Sequence, residues 1–130
     1  MNFFCPICWK EIRGDDIRCP YCGSDITEHE KKSFEEKLIN AHRHPERETV
    51  QRAVWVLGKL KSIKSLEPLK ILFEQTDNPF LEIEILNALA EIATHDALDI
   101  IMSALDSEES IVRRKAREII EKRIVDKGWI

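Results

Sequence analysis

Ala53-Val54-Trp55-Val56-Leu57-Gly58-Lys59-Leu60 and, about 32 residues on, Ile85-Leu86-Asn87-Ala88-Leu89-Ala90-Glu91-Ile92 decide the fold. Leu57 matches Leu89, and Gly58 matches Ala90. The segment after each also repeats: Leu66 and Leu69 of Ser65–Phe73 match Leu98 and Ile101 of Ala97–Leu105. A third copy opens at Val112-Arg113 and runs through Ala116, Ile119 and Ile120, then stops after one helix. Upstream, Leu38-Ile39-Asn40-Ala41 matches Ile101-Met102-Ser103-Ala104, so Ser33 to Arg43 reads as the second helix of a truncated leading repeat. Apolar residues within each copy fall at helical spacing.

A fixed period in the range of about 20–50 residues, each unit a helix pair, is the mark of an α-solenoid. One hairpin cannot hide both of its apolar faces, whereas stacked hairpins share a continuous core. Breaks fall near Pro45, at Lys61 to Lys64, and at Asn78-Pro79, Thr94-His95-Asp96 and Ser107 to Ser110. Asp96 and Ser110 are read as N-caps, and Asn78 as a cap with Pro79 in the first helical position, where a missing N–H costs nothing. Pro68 falls in the first turn of its helix and is tolerated there. The pattern predicts six helices, at roughly 29–43, 47–61, 65–76, 79–93, 96–106 and 110–125.

The first 30 residues differ in kind. All four cysteines of the 130-residue chain lie there, at Cys5, Cys8, Cys19 and Cys22, together with Pro6, Gly14, Pro20 and Gly23. Short strands and tight turns suit such a stretch better than helix. Beyond it only Gly58 and Gly128 remain, and Leu, Ile, Ala, Glu and Lys dominate. The polar junction Asp25 to Lys32 places a domain boundary between 1–27 and 28–130. The expected class is mainly α: a short helical-repeat array with a small cysteine-rich N-terminal module.

Two resemblances carry this further. Residues 33–124 resemble the HEAT-like repeats, in the short-unit variety seen in phycobilisome-lyase-type proteins. Val112-Arg113 with Ala116 and Ile119-Ile120, and Ala53-Val54 with Val56-Leu57-Gly58, follow the first-helix signature of that family. Thr49-Val50 and Leu81-Glu82 depart from it. The resemblance implies a scaffold for partner proteins; the lyase relatives act on bilin-bearing proteins, but nothing in this sequence marks a pigment site. Residues 3–26 resemble short zinc ribbons, whose two Cys-Pro-X-Cys-Gly knuckles flank about ten residues. Cys19-Pro20-Tyr21-Cys22-Gly23 is a complete knuckle. Cys5-Pro6-Ile7-Cys8-Trp9 has Trp9 in place of Gly, so either that turn is looser or Trp9 holds a special backbone state.

Each Cys-X-X-Cys closes a turn whose two sulfurs can bind one ion, and two turns make a tetrahedral sulfur site suited to Zn²⁺. Four thiolates leave no position for water, so the expected zinc is single and structural, with Cys5, Cys8, Cys19 and Cys22 as ligands. Iron suits the same four sulfurs. A thioredoxin-like redox pair is disfavoured, because two pairs are present and no βαβ pattern surrounds them.

The net charge is −4, unevenly spread: −3 over 1–30, +4 over 31–61, −9 over 62–109 and +4 over 110–130. The predicted second helices expose Glu67, Glu74, Asp99 and Asp106, with Lys70 the main exception. This implies an acidic inner surface that receives a protein partner with a basic segment. Nucleic-acid binding is the weaker alternative, since only the flanks are basic and the cysteine module is itself acidic. Charge-guided self-association is also open. Arg113, Arg114, Lys115, Arg117, Lys122 and Arg123 make the last helix basic, either as a solvated terminal cap or as a contact for phosphate or an acidic partner.

No nucleophile elbow, glycine-rich phosphate loop or spare cysteine is present, so no enzyme is expected. His42 and His44 are expected on a solvated surface, and His29 and His95 have no assigned role. Trp55 packs or sits exposed, and Trp129, after Gly128, is expected to fold back over the last helix. No run reaches the roughly 18 apolar residues of a membrane span, and no signal-peptide pattern opens the chain, so the expected location is the cytoplasm.

Overall fold

The computed structural model describes residues 3–127, with side chains through 123. The expectation for Trp129 therefore lies outside the described residues. The fold is mainly α and forms two compact units, Met1–Ala53 and Val54–Ile130.

In the first unit a two-residue strand β1 (Phe3–Phe4) pairs antiparallel with β2 (Glu11–Ile12), Phe3 opposite Ile12 and Phe4 opposite Glu11. An isolated bridge joins Arg18 to Asp25. Two short helices follow, α1 (Ile26–Glu30) and α2 (Phe34–Asn40), the latter extended by a 3₁₀ turn over Ala41–Arg43. The single helix expected over 29–43 is thus two. Ser33 has extended backbone and its hydroxyl accepts from the Glu36 N–H at 3.1 Å, while that hydroxyl donates to the Glu36 carboxylate. Ser33 and Glu36 have the spacing of a capping box, a strong start signal that outcompetes continuation from α1.

α3 (Arg47–Lys59) begins in the first unit and ends in the second. The second unit continues with a 3₁₀ turn at Ile63–Ser65, α4 (Leu66–Gln75), α5 (Pro79–Ile92), α6 (His95–Ser103), a 3₁₀ turn at Ala104–Asp106, and α7 (Ser110–Lys127). Seven α-helices are found among the described residues where six were expected. The core is aliphatic: Leu57, Leu69, Ile85, Leu86, Leu89 and Val112 are fully buried. α5 packs against both α6 and α7, which is the sharing of one core by successive hairpins that the 32-residue period predicts.

Local signals explain most boundaries. The Asn78 side chain accepts from the Phe80 N–H at 3.0 Å, with Pro79 opening α5. Thr94 caps α6, accepting from the Ala97 N–H at 3.1 Å. Asp96 is therefore not the cap; it lies inside the first turn, where its carboxylate favours the positive end of the helix dipole. Ser110 is already helical, and the Glu109 carbonyl accepts from the N–H groups of Val112 and Arg113. α3 ends in a Schellman motif: Lys61 N–H donates to the Gly58 carbonyl and Ser62 N–H to that of Leu57. Lys61 (φ 53°) and Ala93 (φ 60°), 32 residues apart, hold the left-handed position that glycine usually fills. Gly58 has a different reason to lack a side chain: a Cβ there would lie 2.7 Å from Ala88 Cα, so its absence lets α3 approach α5.

Candidate metal centre and helical-repeat surfaces

The two cysteine knuckles have nearly the same backbone. The Trp9 N–H donates to the Cys5 carbonyl at 2.9 Å and the Gly23 N–H to the Cys19 carbonyl at 2.9 Å. Each turn then returns to its first cysteine, whose N–H donates to Lys10 O in one knuckle and Ser24 O in the other. Both closing residues sit at positive φ, Trp9 at 61° and Gly23 at 77°. Of the two readings open for Trp9, the special backbone state is the one found. A non-glycine residue in this region costs on the order of 1–2 kcal/mol.

These turns aim amide hydrogens at sulfur. The Ile7 N–H reaches Cys5 Sγ at 3.4 Å, the Tyr21 N–H reaches Cys19 Sγ at 3.4 Å, and the Cys22 N–H reaches Cys19 Sγ at 3.5 Å. The four sulfurs lie within 4.8 Å of one another, with Cys5–Cys22 at 3.7 Å and Cys8–Cys19 at 3.6 Å. An ion bound tetrahedrally at about 2.3 Å from each sulfur needs sulfur–sulfur edges of about 3.8 Å. Two of the edges match this closely and none exceeds 4.8 Å, so these four cysteines can hold one metal ion. Contact with the Ser24 side chain and then its backbone N–H pull Cys22 down to about 6, whereas Cys8 is pushed up to about 11. At Cys8 the Lys10 N–H lowers the value, but burial and the other three sulfurs together outweigh it. Four thiolates this close repel, and a cation removes that penalty.

The cysteine module is docked on the helices of its own unit. The Asn40 side-chain amide donates to the Pro6 carbonyl at 3.0 Å. The His44 ring meets Phe4 edge-on at 4.8 Å and Trp9 at 5.2 Å, and its side chain is only 14% exposed. The Glu46 N–H donates to His44 Nδ1 at 3.0 Å, which places the proton of the neutral ring on Nε2. His42 is also largely covered, and burial pushes it down to about 4. The solvated surface expected for both histidines is thus incorrect: a segment that looks like a polar helix end is where the module packs. Sequence spacing carries no trace of it, because the contacts join residues 4 and 9 to residue 44. The usable signal was Trp9 itself, a large apolar ring where glycine belongs, which requires a surface to rest on.

On the second unit, Glu67, Lys70, Glu74, Asp99 and Asp106 are all exposed. Lys70 and Glu74 of α4 and Asp106 of the turn after α6 come together around a cleft of about 280 Å³ that also contains Phe73 and Ile100. Glu67 and Asp99 lie on the same two helices but do not line it. A larger open groove, of about 820 Å³, runs along α3, α5 and α7. Trp55 stands at its edge, 56% exposed, with Lys59 Nζ 5.5 Å from its ring centre and paired with Glu91 at 2.9 Å. No described helix is long and apolar enough to cross a membrane.

Among curated proteins none matches the chain. A family model described as HEAT repeats matches residues 35–121, from α2 into α7, 87 of the 130 residues. The helix pairs, their shared core and this match agree, and the chain belongs to the HEAT repeat family.

Proposed function

We propose that the protein is a non-enzymatic adaptor in which a structural zinc ion organises the cysteine module and the helical repeats hold a partner protein. Zinc is the reading for the ion because it accepts four thiolates tetrahedrally without a preferred distortion. With all four positions taken by sulfur, no site remains for water or substrate, which is why the role is structural. The module is too small to bury a core of its own, and binding of such an ion supplies on the order of 10 kcal/mol toward folding. Metal analysis of the purified chain is expected to give one zinc per chain; iron in its place would reject that identification.

The observation that carries the partner reading is the cleft between α4 and α6, where Glu74 and Asp106 flank the apolar Phe73. Carboxylates around an apolar floor suit a basic segment with one apolar anchor, while Lys70 sets its register by repulsion. Reversal of Glu74 and Asp106 to lysine is the test. Capture of the partner from host extract is expected to weaken with salt and to be lost in the reversed variant. Undiminished capture, or a partner docked through an acidic segment at this cleft, would reject the reading. A nucleic-acid partner finds no support at this cleft, whose charge repels phosphate.

A further inference from the structure

We infer that the groove along α3, α5 and α7 is a second docking surface, and that its occupant is an acidic, amphipathic segment of a partner protein. Its charge is opposite to that of the α4–α6 cleft: five basic side chains line it against three acidic ones. The floor is low and apolar, built from Ala88, Ala90 and Ile119, so a chain can lie close to the helices. At the edge Trp55 is 56% exposed, and Lys59, which lies over its ring, is paired with Glu91. A half-exposed tryptophan is the kind of side chain from which binding hot spots are built. Burying it against an aliphatic side chain while the rim meets carboxylates satisfies both halves of the surface.

A second observation points to the same place. Lys61 and Ala93 both line this groove, and both hold left-handed backbone that glycine would adopt without strain. At Lys61 the chain keeps a long cationic side chain on a strained turn, in the Schellman motif that closes α3. Strain retained in this way fits a side chain needed for contact, because the turn itself would be better served by glycine. The interleaved carboxylates Glu84, Glu91 and Glu118 disfavour nucleic acid, whose evenly spaced phosphates would meet each of them. A protein segment can place its charges to avoid them.

The test is selection from a random-peptide display library on the full-length, metal-loaded chain, followed by anisotropy titration of the enriched peptides at low and raised salt. The expected peptides are acidic with at least one large apolar residue. Their affinity should fall about tenfold or more in Lys61→Gly and in Trp55→Ala. Lys61→Gly relieves the strained turn, so its melting temperature should equal or exceed that of the wild type, which separates lost contact from lost fold. The pair Glu74→Lys with Asp106→Lys should leave these affinities unchanged, so failure of the α4–α6 reading and failure of this one are distinguishable. The inference is overturned if the enriched peptides are neutral or basic, or if acidic peptides bind Lys61→Gly and Trp55→Ala as tightly as wild type. It is equally overturned if oligo-dT competes them off at lower concentration, or if Trp55→Ala abolishes self-association seen by sedimentation while the peptides do not compete.

Discussion

The two units solve the same problem with different materials. In the first, α1 and α2 bury no residue completely, and two of the fully or nearly fully buried side chains are cysteines, Cys5 and Cys19. In the second, α5 alone buries Leu81, Ile85, Leu86, Ala88, Leu89 and Ile92. One gathers four sulfurs at a point, where a metal ion would hold it; the other is held along a length by hydrocarbon. The difference teaches where each is vulnerable. A point-held fold fails all at once when its ion leaves, whereas a stacked core loses stability in proportion to the area removed.

The largest effect should come from the sulfurs. Cys19→Ser removes a buried ligand, and the first unit should lose its metal and its fold, a change on the order of 10 kcal/mol in that unit. Metal content and near-UV circular dichroism check it; a variant that keeps stoichiometric metal would break the comparison. Leu89→Ala attacks the other material. It should lower the stability of the second unit by about 2–5 kcal/mol in denaturant titration while metal content stays unchanged.

The next effect separates the units by pH. His42 is held neutral by burial, down to about 4 against an ordinary 6.5. The unfolded chain therefore takes up a proton as pH falls below 6.5 while the folded chain does not until pH nears 4. Stability is present above pH 6.5 and is lost through this window, by about 2 kcal/mol at pH 5. His42→Leu should flatten that loss in the first unit; an unchanged pH profile would show that the histidine is solvated after all. The smallest effect is Gly58→Ala. The added Cβ would press on Ala88 at 2.7 Å, and with the better helix propensity of alanine offsetting part of the overpacking the expected net cost is about 1 kcal/mol. A stabilised variant would mean that α3 and α5 do not depend on this close approach.

How much of this is legible in the sequence follows the same division. The repeat of Leu57 and Gly58 at Leu89 and Ala90 sets helix pairing, because aliphatic burial is periodic and period is what a sequence displays. The Cys-X-X-Cys pairs announce the candidate metal centre for a similar reason: both pairs of candidate ligands are local. What escapes is whatever joins distant residues or depends on local competition. The packing of Phe4 and Trp9 on His44 is tertiary. The split between α1 and α2 was written in Ser33 and Glu36, but the apolar spacing across 29–43 concealed it. At the start of α6, Thr94 and Asp96 both suit a cap, and only the backbone at Thr94, extended at φ −90° and ψ 168°, settles which one acts. The basic groove was half visible in the charges of the last helix, while its other half came from Trp55, Lys59 and Lys61 on α3 and its closing turn.

The contrast between the units is most directly tested by segment-resolved hydrogen exchange on the full chain, with and without a strong chelator. Metal removal should erase amide protection over β1, β2, α1 and α2 and leave α5, α6 and the middle of α7 protected as before. Protection lost from α5 in step with the cysteine module, or kept in the module after the metal has gone, would contradict it.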